Sequence, residues 1–187
     1  MPLYLGNVLR HINPKEALDV YDHLMRIREV PSNIQARRLE ASLLAASSYA
    51  ARRLHRQDDA RARIDAAFRL LRETKDYPAE IIKPGSEADN AVRALGDHYA
   101  ETGEPNQAIE AYRDLRGRIM KSNPDLQNDL LNAAQISGLD GALSVLLRRV
   151  GRTDEAGSLD QDRLELRRLW DRKLPNNPFV QRQIARK

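Results

Sequence analysis

The stretch "ALGDHYAETGEPNQAIEAYRDL", residues 94–115, decides the fold. Apolar and small residues recur at helical spacing on both sides of a Gly-Glu-Pro turn. Gly103 marks the end of one helix, because glycine adopts the left-handed conformation at little cost. Pro105 suits the first position of the next helix, where its missing N–H is not needed. The stretch therefore predicts two antiparallel helices joined by a tight turn.

The same turn recurs along the chain, which is the sequence signature of a repeat architecture. It reads "HRQDDA" at 55–60, "GEPNQA" at 103–108 and "GRTDEA" at 151–156, with an earlier version, "INPKEA", at 12–17. The last alanines of the three later turns, Ala60, Ala108 and Ala156, are separated by 48 residues both times. A small residue at this position lets the two helices of a hairpin approach closely.

These patterns predict an all-α protein: a right-handed superhelical array of about four antiparallel helix-turn-helix units. No stretch shows the alternation that is typical of strands. The predicted units span about 1–31, 32–78, 85–123 and 124–174, followed by a C-terminal tail at 175–187. The predicted helices are 3–11, 14–29, 33–55, 57–75, 86–102, 105–121, 125–150 and 153–173.

The third unit resembles the tetratricopeptide repeat (TPR) family. The resemblance is carried by Leu95, Gly96, Tyr99, Gly103, Ala108 and Tyr112. Two features depart from the family: the spacing is 48 residues rather than about 34, and Asp160 stands where an aromatic residue is expected. The resemblance implies a superhelical scaffold that binds proteins. A fainter similarity of the C-terminal "LW…KLPNNPFVQRQ" to the TPR regions of some bacterial serine/threonine protein kinases implies a regulatory fragment of a larger protein.

The composition of the chain excludes several classes of function. The chain has no cysteine, which excludes disulfides and thiolate chemistry. No two of its four histidines lie three or four residues apart, as a metal-binding pair on one helix does. No catalytic motif, cofactor loop or signal peptide is present. We therefore expect no enzymatic activity, no metal or cofactor and no membrane insertion, and we expect a cytoplasmic protein.

A 48-residue shift aligns the first helices of the units and predicts a concave binding face. Its residues are Tyr49, Arg52, Arg53, Asn90, Arg93, Asp97, Arg148 and Arg149. Because arginine forks onto carboxylates, this face suits an acidic peptide or protein. The alternatives are ordinary exposed arginines, or nucleic-acid binding through an Arg-rich surface. The scarcity of aromatic residues makes the nucleic-acid alternative less favoured. We expect a monomer, with end-to-end stacking of copies as the alternative.

Overall fold

The computed structural model describes residues 9, 11–26 and 33–185, and within these ranges the chain is helical without any β-strand. Its helices are α1 Pro14–Arg26, α2 Ile34–Arg53, α3 Gln57–Glu73, α4 Glu87–Thr102, α5 Pro105–Lys121, α6 Leu130–Arg149, α7 Thr153–Lys173 and α8 Pro178–Ala185. The all-α prediction is confirmed. The helix predicted at 3–11 lies almost wholly outside the described residues, and the right-handed superhelical curvature stays a prediction.

The three later turns repeat in their hydrogen bonds as well as in sequence. Ala60, Ala108 and Ala156 are each the fourth residue of α3, α5 and α7, and each is fully buried. Their amides donate to the carbonyls of Arg56, Glu104 and Arg152 over 2.9, 3.1 and 3.2 Å. The amides of those three residues donate in turn to the carbonyls of Ala51, Tyr99 and Leu147. The 48-residue period of the sequence is therefore also a period of the backbone hydrogen bonds.

Each of these turns reverses the chain through one left-handed residue. Gly103 and Gly151 have φ angles of 86° and 79°, which confirms the predicted glycine conformation. His55 occupies the equivalent position of the first turn with a φ of 58°. A side chain in this region crowds the backbone and costs about 1 kcal/mol or more. The turn geometry is thus kept at His55 against a local conformational cost.

Side-chain caps mark where several of the helices begin, α4 and α6 among them. The Ser86 hydroxyl accepts a hydrogen bond from the Asp89 amide, as expected for the start of α4. The Asp129 carboxylate accepts from the amides of Leu131 and Asn132 over 2.9 and 3.0 Å. Because this cap satisfies amides that no helical carbonyl reaches, α6 begins at Leu130 rather than at the predicted residue 125. From there α6 runs unbroken through its two glycines.

Helices of neighbouring units stack unevenly. The hairpins are α2 with α3, α4 with α5, and α6 with α7, and consecutive hairpins meet through α3 on α4 and through α5 on α6. We call α2, α4 and α6 the first helices of their units. The first helices α2 and α4 also pack on each other, whereas α4 and α6 hardly touch within the described ranges. One side of α6 is therefore left without a helical neighbour.

The predicted tail at 175–187 contains helix α8, which packs against α7. Val180 of α8 is buried in a small apolar cluster with Trp170 and Ala133. The Trp170 indole N–H donates to the carbonyl of Leu126 over 3.0 Å, which gives this amphipathic ring a polar partner. The cluster closes the end of the array.

Candidate functional site

Three of the predicted site residues meet between α2 and α4, but they bind one another. The Tyr49 hydroxyl donates to Asp97 Oδ2 over 2.7 Å, and the Tyr112 hydroxyl donates to Asp97 Oδ1 over 2.5 Å. The guanidinium of the buried Arg52 lies 4.4 Å from the centre of the Tyr49 ring and 3.4 Å from Glu101 Oε1. These contacts hold the second and third units together.

The Tyr112 hydroxyl acts in this network as a neutral donor. Burial, followed by the neighbouring Asp97 carboxylate, raises the pKa of Tyr112 far above its ordinary value. A β-carbon at Gly96 would lie only 2.4 Å from the Tyr112 ring, so this ring needs glycine beneath it. The equivalent positions one period away, Ser48 and Ser144, are also small and fully buried. The repeat thus keeps a small residue where its two helices come closest.

Arg93 of the predicted face also forms intramolecular hydrogen bonds. Its Nε donates to the fully buried Asp89 carboxylate over 2.6 Å, and its Nη2 donates to the Gln135 carbonyl of α6 over 3.0 Å. Asp89 additionally accepts from the Gly85 amide over 2.7 Å. A buried carboxylate with these partners is fully compensated. Arg93 therefore bridges α4 and α6 across the gap between them.

The other four predicted residues lie on the surface. Arg53, Asn90, Arg148 and Arg149 are exposed. Arg148 forms an ion pair with Asp160, the residue that replaces the expected aromatic. Neither Arg53 nor Arg149 forms an ion pair with the residues that the structure describes. Arg53 Nη2 lies 3.4 Å from His11 Nδ1 at the C-terminal end of α2, and Arg149 lies at the C-terminal end of α6. That these residues form one groove stays a prediction.

The exposed side of α6 carries two large apolar side chains that face solvent. Leu131 keeps 74% of its surface exposed and Val145 keeps 50%, and Gly138 lies between them, also exposed. Because these residues are seven apart, they share one face of the helix. We call this surface the α6 face and define it by Leu131, Gly138 and Val145. None of these three residues was among the predicted site residues.

The repeat accounts for the exposure of one residue of the α6 face, Val145. Tyr49, Asp97 and Val145 occupy the same position in successive units, one period apart. The Tyr49–Asp97 hydrogen bond therefore ties the first helices α2 and α4 to each other. Valine cannot accept or donate such a bond, so nothing equivalent joins Asp97 to Val145. The first helices α4 and α6 consequently lack this tie, and Val145 faces solvent.

By length and composition, α6 is the one helix in the described parts of the chain that could cross a membrane. The expected absence of membrane insertion stays a prediction. However, 56% of its apolar window is buried against other helices, as in the core helix of a helical array. The apolar character of α6 has two sources: this buried side and the small and apolar residues of the α6 face.

A buried ion pair joins the third and fourth units on the opposite side of α6. Asp140 of α6 is only 2% exposed, and Arg116 Nε of α5 donates to its carboxylate over 2.6 Å. Burial raises the pKa of Asp140 above its ordinary value although Arg116 favours the charged form. The pair lines an open groove of about 490 Å³ between α5, α6 and α7. The ion pair compensates the Asp140 charge that is buried between the helices.

Many other arginines also act as internal clamps. Arg63 of α3, for example, donates to Asp22 of α1 over 2.7 and 3.2 Å, to Asp59 over 2.9 Å and to the Ser47 hydroxyl of α2 over 3.0 Å. This fork joins three helices at once. In the described ranges no three His, Asp or Glu side chains gather in a way that could hold a metal ion. The arrangement of charges serves helix packing.

No family model matches the chain, and no curated protein matches it. The resemblance to the TPR family therefore depends on the motif residues of the third unit. The repeated turn hydrogen bonds and the close contact of Gly96 with Tyr112 are consistent with such a unit.

Proposed function

We propose that the chain is a non-catalytic protein-interaction scaffold that binds a peptide or protein partner through the exposed face of its first helices. The observation that carries this proposal is the α6 face, where Leu131 and Val145 keep 74% and 50% of their surface exposed on one side of the same helix. The TPR-like repeat supports it, because stacked helical hairpins present extended binding surfaces. The fainter kinase similarity adds the proposal of a regulatory fragment in the cytoplasm.

The physical basis is the cost of leaving this face in water. Burying a leucine or valine side chain fully stabilises a complex by about 1.5–3 kcal/mol before the costs of association. The backbone at Gly138 lets a partner approach closely, since a β-carbon there would meet no atom within 4 Å. Arg149, on the same side of α6, can fork onto a carboxylate of the partner. An acidic segment with small apolar side chains therefore fits this surface.

The alternative, nucleic-acid binding, has less support. Much of the arginine content serves internal ion pairs such as Arg63 with Asp22 and Arg116 with Asp140. Phosphate binding needs several unpaired cations on one surface, and its affinity falls steeply with salt. The net charge of +4 over 187 residues leaves few such cations. A protein or peptide partner accounts for the apolar α6 face, which nucleic acid does not.

The test is binding of the purified chain to an arrayed peptide library, with a single-stranded oligonucleotide as control, at low and moderate salt. We expect saturable binding of acidic peptides that Val145→Glu and Arg149→Ala weaken at least tenfold. The matched controls are Leu164→Glu and Arg168→Ala, which alter an exposed leucine and an exposed arginine of α7. Oligonucleotide binding with a steep salt dependence and no peptide preference would refute the proposal.

A further inference from the structure

The side chains of the α6 face are arranged symmetrically by size along the helix. Leu131 and Val145 each lie seven residues from Gly138, which corresponds to about 10 Å along the helix. The two larger side chains thus stand at equal distances on either side of a residue without a side chain. At the centre, a β-carbon at Gly138 would meet no other atom of this chain within 4 Å.

Such a face is complementary to itself when turned by 180°. If two copies of α6 cross in antiparallel orientation with Gly138 against Gly138, Leu131 of each copy meets Val145 of the other. Both contacts then pair a larger with a smaller apolar side chain, and the central glycines let the two backbones come close. The two contacts are related by a two-fold axis, so the assembly closes as a dimer.

Charge favours the antiparallel orientation over the parallel one. Arg148 and Arg149 end α6, and Asp125 and Asp129 precede it. A parallel pair would place the arginines of both copies side by side, where they repel. In the antiparallel pair, Arg149 of each copy lies beside Asp125 and Asp129 of the other, an end where Lys173 Nζ also donates to the Gln127 carbonyl and to Asn128 Oδ1. Arg148 stays paired with Asp160 of its own chain. Helical side chains lean toward the N-terminus, so Arg149 reaches back along its own helix toward this acidic end of the other copy.

We propose that a second copy of this chain covers the α6 face, in an antiparallel two-fold pair centred on Gly138. This inference rests on the proposed function of the same face and names its protein partner. Only Leu131 and Val145 of each copy contribute large exposed apolar side chains, so the interface is smaller than a standard protein–protein interface. The dimer is accordingly weak, and the fraction of chains in the dimer rises with protein concentration.

The absence of cysteine makes the arrangement directly testable, because single-cysteine variants report one contact each. Gly138→Cys should form a disulfide-linked dimer on mild oxidation, since the axis brings residue 138 next to itself. Leu131→Cys and Val145→Cys should cross-link when mixed at least tenfold more than either does alone. Gly117→Cys, at an exposed glycine of α5, is the matched control and should remain monomeric.

The possible results separate this inference from the proposed function. Equal cross-linking of Gly138→Cys and Gly117→Cys would show random collision and overturn the inference. Cross-linking of Leu131→Cys alone as efficient as in the mixture would overturn the antiparallel arrangement. If sedimentation equilibrium of the unmodified chain shows only monomer at millimolar concentration while Val145→Glu still abolishes peptide binding, the proposed function stands and the self-pairing is refuted.

Discussion

The contact between Gly96 and Tyr112 offers a sharp test of how the repeat is packed. In Gly96→Ala, the new methyl group would lie 2.4 Å from the Tyr112 ring. The ring cannot move aside easily, because it is 2% exposed and its hydroxyl is bonded to Asp97. Overpacking of this kind costs about 1–3 kcal/mol, whereas replacing a helical glycine by alanine gains about 1 kcal/mol. Gly96→Ala therefore loses up to about 2 kcal/mol in the free energy of unfolding.

Gly117→Ala in α5 is the control that separates the steric cost of the new methyl group from the gain in helix propensity. It makes the same chemical change inside a helix, where a β-carbon meets no atom within 4 Å. Urea denaturation should place Gly117→Ala about 1–3 kcal/mol above Gly96→Ala in the free energy of unfolding, and Tyr112→Leu should partly rescue Gly96→Ala. If both alanine variants were stabilised equally, the close contact of the two helices in the third unit would be refuted.

Three further predictions follow from the turns, the buried ion pair and the C-terminal helix. Arg116→Ala should cost about 3 kcal/mol at pH 7, because it leaves the Asp140 carboxylate buried without its cation. Burial raises the pKa of Asp140, so near pH 4 this carboxyl is largely protonated and no longer needs a cation. The loss in the free energy of unfolding should therefore be much smaller near pH 4 than at pH 7. Equal losses at both pH values would contradict this reasoning. His55→Gly should raise the melting temperature by about 2–4 °C, as a left-handed side chain is removed; a lower melting temperature would argue against the repeated turn geometry. Val180→Asp should detach α8 and shift the emission of Trp170, the chain's single tryptophan, to longer wavelength; unchanged emission would show that α8 does not cover it.

The hairpins could be predicted from the sequence because their signals are local. Gly103 and Pro105 specify a helix end and a helix start within three residues, and the predicted bounds 105–121 agree with the structure. The 48-residue period predicted a close helix–helix contact at Ala108, and the structure buries this residue. Helix α8 was predicted as a tail, because eight residues that begin at Pro178, shortly after Pro175, carry a weak helical signal. Its helix is stabilised by the contact of Val180 with Trp170, which is a tertiary effect.

The candidate site was harder to predict. The period correctly aligned Tyr49 with Asp97, but it did not reveal that the two side chains bond to each other. Arg52 was expected on a free surface, and the structure buries it against Tyr49 instead. The openness of the α6 face depends on two helices that fail to pack, which no local pattern encodes. The seven-residue spacing of Leu131 and Val145 around Gly138 was the available signal.

The most direct measurement of the central claim is methyl NMR of Leu131 and Val145. In a sample with labelled leucine and valine methyl groups, these resonances should shift with protein concentration and with bound acidic peptide. The methyl groups of Leu164, which is 36% exposed on α7, should stay unchanged. If Leu131 and Val145 respond to neither perturbation, or if Leu164 responds equally, then the α6 face is not a protein-binding surface.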